Sequence, residues 1–114
     1  MPHSPQFVLN FATGSVSFPL SVAGASSLQT ELEALITDLK TVAAGTQSKG
    51  PVRSTDVLHK EDGLRLELFC NPNIWPSPHA AKVLVTLKAD SLRFSTEVEL
   101  PRLLEDLGQH LATA

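Results

Sequence analysis

Two hydrophobic periods occur along this chain, and each demands a different element. Leu64-Arg65-Leu66-Glu67-Leu68-Phe69 alternates apolar and polar side chains, the period of a half-buried strand. Leu28, Leu32, Leu35, Ile36, Leu39, Val42 and Ala43 instead follow helical spacing, which draws one apolar stripe down a helix. A chain with both patterns is neither all-α nor all-β. Its 114 residues suit a single domain over 1–114. The 42% of hydrophobic residues, against 18% charged, supply a core and exclude a disordered polyampholyte.

The remaining segments extend the pattern. Phe7, Leu9 and Phe11 share one face of residues 7–12, and Val16 and Phe18 share one face of residues 15–18. Thr13-Gly14 between them predicts a hairpin, and Pro19 ends its second strand or holds it at an edge. Ala25-Ser26-Ser27 opens the helix, with Ser26 and Gln29 at capping-box spacing and Gly45 as its stop. A polar linker at 46–51 leads to a strand at 52–60, polar enough for an edge, and Glu61-Asp62-Gly63 turns the chain into the strand at 64–69. Val83, Val85 and Leu87 line one face of a strand at 82–88. After Ala89-Asp90-Ser91, Leu92, Phe94, Thr96 and Val98 line the next. Pro101 suits the first turn of a last helix, whose stripe is Leu100, Leu103, Leu104, Leu107 and Leu111. The order ββαββββα predicts an α+β fold: an antiparallel sheet of about six strands with two helices packed on one face.

Charge and cysteine usage exclude several functions. Nine Lys and Arg against twelve Asp and Glu give −3, and the absence of a basic block argues against nucleic acid. Arg53, Arg65, Lys82, Lys88 and Arg93 fall on the solvent face of the sheet, but Glu67, Glu97 and Glu99 are interleaved, as on a solvated surface. No run approaches the roughly 18 apolar residues of a membrane span, so no membrane insertion is expected. Residues 2–30 carry no charge, yet they lack a basic leader and are broken by Asn10, Thr13, Gly14, Ser15, Ser17 and Pro19. One cysteine makes no internal disulfide, and a cytoplasmic setting follows. His3, His59, His79 and His110 share no ligand spacing, and the glycines are dispersed. No metal and no cofactor are therefore expected.

Cys70 and His79 flank a proline-studded loop and would form a thiolate–imidazole pair if their side chains met. No local signature of a cysteine enzyme surrounds Cys70, and a small buried hydrophobe beside a surface histidine explains both residues. Paired carboxylates occur at Glu61-Asp62, Glu97 with Glu99, and Glu105-Asp106; turn chemistry accounts for the first and solvation for the second. No catalytic residue is assigned. Two features point to a partner instead. Exposed strands are normally guarded by charge, and the hairpin bearing Val16 and Phe18 has none. In the loop, Pro72, Pro76 and Pro78 stiffen a stretch that offers Asn71, Asn73, Ile74, Trp75 and His79 for contact, unless Trp75 folds back as a lid on the core. The expectation is a non-enzymatic protein-interaction or accessory module, homodimeric or part of a complex. The alternative is a small-molecule-binding protein or minor enzyme with Cys70 and His79 near a helix–sheet cavity.

The stretch Leu68-Phe69-Cys70-Asn71-Pro72-Asn73-Ile74-Trp75-Pro76-Ser77-Pro78-His79, the strand after it and Arg93-Phe94-Ser95-Thr96-Glu97 resemble small uncharacterised proteins of cyanobacteria. The resemblance covers the C-terminal half. It implies a bacterial accessory protein, cytosolic or thylakoid-associated, and brings with it no activity and no site residue.

Overall fold

The period-two segments form six strands and the helical stripes form two helices: β1 (Gln6–Phe11), β2 (Gly14–Pro19), α1 (Val22–Ala44), β3 (Thr55–Glu61), β4 (Leu64–Cys70), β5 (Lys82–Ala89), β6 (Leu92–Glu99) and α2 (Leu100–Thr113). The computed structural model describes residues 5–44 and 54–113; His3, Gly45, the linker at 46–51, Val52 and Arg53 lie outside them. The α+β class and the element order stand, but the single sheet of six strands does not. The strands form two antiparallel sheets, β1-β2 and β3-β4-β5-β6.

The separation has a physical cause. The Asn10 N–H donates to the Asp106 carboxylate of α2 at 3.0 Å, and the Asn10 side-chain amide donates to the same carboxylate at 3.0 Å. At Asn10 the outer edge of β1 is therefore bonded to the helix, and β1 does not pair with β6. The hairpin still joins the core through its side chains. Phe7, Leu9 and Phe18 are buried with Leu66, Leu68, Val83 and Val85 of the four-stranded sheet and with the leucines of both helices. Phe7 meets Phe18 edge-on at 5.3 Å and His110 at 5.4 Å. His110 is itself buried and donates through Nε2 to the Leu20 carbonyl at 2.7 Å.

Turn chemistry sets the four-stranded meander. Asp62 and Gly63 take φ of 50° and 77°, and Asp90 takes 51°; Asp and Gly adopt this left-handed region at least cost. The first hairpin turns on Ala12-Thr13, one residue earlier than expected, and Gly14 opens β2.

Helix α1 also begins earlier than the Ser26 cap predicts. Ser21 caps it: Ser21 Oγ accepts the Gly24 N–H at 3.0 Å and donates to Glu61 Oε1 at 3.0 Å, and His59 Nε2 donates to the same oxygen at 2.9 Å. A side-chain oxygen at the N-cap satisfies one of the free N–H groups of the first turn. Here the cap is tied to β3 by a carboxylate 40 residues away. Gly24 makes room for it, since a Cβ there would lie 2.7 Å from the His59 ring. Gly24→Ala should therefore destabilise the chain by about 1–3 kcal/mol through overpacking. In a His59→Ala background the same change should be neutral, or stabilising by up to about 1 kcal/mol, the usual advantage of Ala over Gly in a helix. Urea melts of the four chains of this cycle measure the sign change. An unaltered cost in the His59→Ala background would place the clash elsewhere.

Candidate interaction surfaces

Cys70 ends β4 on its inward face and is buried, whereas His79 is exposed at the far end of the loop. Burial pushes the Cys70 thiol up from its ordinary value, and a hydrogen bond from the Trp75 side chain opposes this to a smaller degree. Trp75 packs half-buried against the core. The loop is folded tightly on itself. Asn71 Oδ1 accepts both the Asn73 N–H at 3.0 Å and the Asn73 side-chain amide at 2.9 Å, an Asx turn. Ile74 projects outward, 66% exposed. Pro78 and His79 border a groove of about 310 Å³ with Ile36, Lys40, Leu100 and Leu104. Within the core, the space among Phe7, Leu9, Leu28, Leu66 and Leu103 is only about 10 Å³, about the minimum that admits one water.

The hairpin presents a different surface. Because Asn10 N–H donates to Asp106, the Asn10–Ser15 pair is a non-hydrogen-bonded pair of the β1–β2 ladder. Antiparallel pairs alternate between bonded and non-bonded, so Val8–Ser17 and Gln6–Pro19 are also non-bonded pairs. Pro19, with no N–H, fits the last of these. The main-chain groups of Ser15 and Ser17 consequently face away from β1. Among the described residues no strand pairs with that edge. Of the expected contact residues here, Val16 is half-buried and packs against the core, and Phe18 is within it.

The third surface is the outer face of the four-stranded sheet. Strand pairing sorts its side chains into rows. Lys60, Arg65, Lys88 and Arg93 form one row across all four strands. Leu58, Glu67, Thr86 and Ser95 form the next, then Asp56, Phe69, Leu84 and Glu97. The interleaving expected from the sequence holds for Glu67 and Glu99, whereas Asp56 and Glu97 stand two rows from the cationic row. Lys60 belongs to the row; Lys82 sits at the opposite end, paired in register with Glu99. Glu67 binds Arg65 at 2.9 Å and Lys88 at 3.3 Å. Its carboxyl is held below its ordinary value, chiefly by the hydrogen bond from Lys88. Leu58, Phe69 and Leu84 leave 49%, 44% and 41% of their surface exposed.

The buried pair Asp106 and His110 escapes the sequence reading, although the signal is present: they stand four apart among Leu103 and Leu107 on the inward stripe of α2. Among the described residues no group of three or more His, Cys, Asp or Glu is placed to hold a metal, and no helix is long and apolar enough to cross a membrane. Compared with protein-family models, with curated proteins and with solved structures, the chain shows no match in any of the three.

Two outcomes follow from this geometry. Trp75→Ala should cost about 3–5 kcal/mol, the range for truncating a large aromatic that seals a core. It should also speed alkylation of Cys70, which as a buried thiol in the wild-type chain should react only on unfolding; unchanged stability and unchanged thiol reactivity would remove the lid. Glu67 is a carboxyl depressed on folding, so its contribution is present above the unfolded pKa and is lost as pH falls through the folded one. Glu67→Gln should lower stability at about pH 7 and shrink the difference between about pH 7 and about pH 3 in urea melts.

Proposed function

We propose that this chain is a non-enzymatic protein-interaction or accessory module that receives an extended segment of a partner on the free edge of β2. The observation that carries the reading is the state of the four strand edges. The edge strand β3 bears Asp56, Lys60 and Glu61, and β6 bears Arg93, Glu97 and Glu99. On β1, which is also uncharged, the Asn10 N–H is taken by Asp106 and α2 lies beside the strand. The edge strand β2, Gly14–Pro19, carries no charged side chain. Charge on an edge strand is the common protection against pairing with another chain. An uncharged edge with outward N–H and C=O groups is the platform for strand addition, in which main-chain bonds give affinity and alternate side chains give specificity.

The loop at 71–79 contributes the second contact of this reading, through Ile74, Asn71 and Asn73 and through the groove beside His79. The module acts as a homodimer or within a larger assembly, in a bacterial cytoplasm where a reduced cysteine is ordinary. The enzyme reading has less support, because burial disfavours the Cys70 thiolate and the core space at the helix–sheet junction is about 10 Å³.

Amide exchange tests the edge directly. In the isolated chain Ser15 and Ser17 should exchange fast while Val16 and Phe18 are protected, and a bound partner should slow Ser15 and Ser17. Ser15→Lys with Ser17→Lys should abolish that binding and change stability by no more than about 0.5 kcal/mol, as for exposed surface positions. A partner that binds the double variant unchanged would refute strand addition.

A further inference from the structure

We infer that the outer face of β3–β6 is an interface between two copies of this chain, related by a two-fold axis that runs across the strands through the row Leu58, Glu67, Thr86 and Ser95. This goes beyond strand addition at β2 and does not depend on it.

The argument starts from an unfavourable feature. Like charges directly opposite on neighbouring strands repel, and Lys60, Arg65, Lys88 and Arg93 stand in one unbroken row. Glu67 neutralises the middle of the row by holding Arg65 and Lys88. Lys60 and Arg93, at its ends, form no ion pair among the described residues, and neither do Asp56 and Glu97. All four are exposed.

These four charges are placed symmetrically. Lys60 and Asp56 lie two residues either side of Leu58 on β3, and Arg93 and Glu97 lie two residues either side of Ser95 on β6. A two-fold axis across the strands exchanges the two ends of the face. Lys60 of one copy then meets Asp56 of the other and Arg93 meets Glu97, so each of the four unpaired charges gains an opposite partner, while Glu67, on the axis, faces its own copy with its charge already held by Arg65 and Lys88. An axis along the strands would set the cationic rows against each other and is excluded by repulsion. Between the charged ends, the exposed parts of Leu58, Phe69 and Leu84 are covered. Sheets pack about 10 Å apart, a gap that Lys and Arg side chains span. A polyanion on the same face would meet Asp56 and Glu97 as well as the cations, which favours a second copy as the occupant.

Size sets the strength. Four strands of about eight residues offer a footprint of roughly 20 by 25 Å, less than the ~800 Å² per partner of a standard interface. The association is accordingly weak, and it belongs at concentrations of about 100 μM and above.

Sedimentation equilibrium at low salt tests this with two charge-reversed chains. One carries Lys60→Glu and Arg93→Glu, the other Asp56→Lys and Glu97→Lys. The wild-type chain should self-associate. Each variant alone should be at least about 10-fold weaker, and an equimolar mixture of the two should restore association, since all contacts are then complementary. Circular dichroism confirms that both variants fold, as substitutions at exposed positions should allow. A wild-type chain that stays monomeric up to about 1 mM, variants that associate like wild type, or a mixture that fails to associate would each overturn the inference. So would a monomeric wild type that binds heparin in a manner lost with Lys60→Glu and Arg93→Glu. If Ser15→Lys with Ser17→Lys dissolves the dimer and the sheet-face variants do not, this inference fails while strand addition stands.

Discussion

The carboxylate of Asp106 decides how the hairpin is oriented, and much of the surface follows from it. It is buried on α2 and accepts from Asn10 N–H, from the Asn10 side-chain amide and from Arg102 Nε at 3.2 Å. A buried carboxylate without such partners costs several kcal/mol, so the donors and the helix are held together as a set. One turn later His110 binds the Leu20 carbonyl at the other end of the hairpin. Two polar residues on one helix face thus clamp the turn end and the open end of the same hairpin. β1 is turned to α2, the hairpin stays out of the four-stranded sheet, and β2 is left with the open edge.

The parts of this fold that depend on local periodicity are legible in the sequence. Leu28, Leu32, Leu35 and Leu39 face the core as the spacing requires, and the inward faces of β4 and β5 match the alternation. The parts that depend on distant partners are not. Ser26 and Gln29 carry the local signature of a cap, yet Ser21 is the cap, because Glu61 and His59 support it from β3. Nothing within the first turn records that support except Gly24, which a local reading takes as a helix breaker. The division into two sheets is hidden for the same reason: Asn10 and Asp106 are 96 residues apart.

Charge on the sheet face shows the same limit in another form. Composition along β3–β6 gives a mixture of signs, which suggests a solvated surface. Register turns that mixture into a cationic row and an anionic one, and a one-residue slip in any strand would erase both. The loop is intermediate. Its three prolines and single Trp announce rigidity, but only the fold shows that Trp75 packs against the core while Ile74 and His79 face outward.

The magnitudes also set a bound on what the β2 edge does alone. Ser15 and Ser17 offer two N–H donors and two carbonyls, and Pro19 adds a carbonyl but no donor. At ~0.5–1.5 kcal/mol net per hydrogen bond, the five groups of the edge supply at most about 7.5 kcal/mol. Association costs about 4–15 kcal/mol in lost freedom of motion. The edge therefore orients an extended partner, and side-chain burial must supply the remaining affinity. A dimer of the kind inferred from the sheet face would present two such edges at once. Two weak sites on one rigid body raise avidity by effective concentration without any new contact, so the weak face and the short edge reinforce each other when the partner itself is repeated.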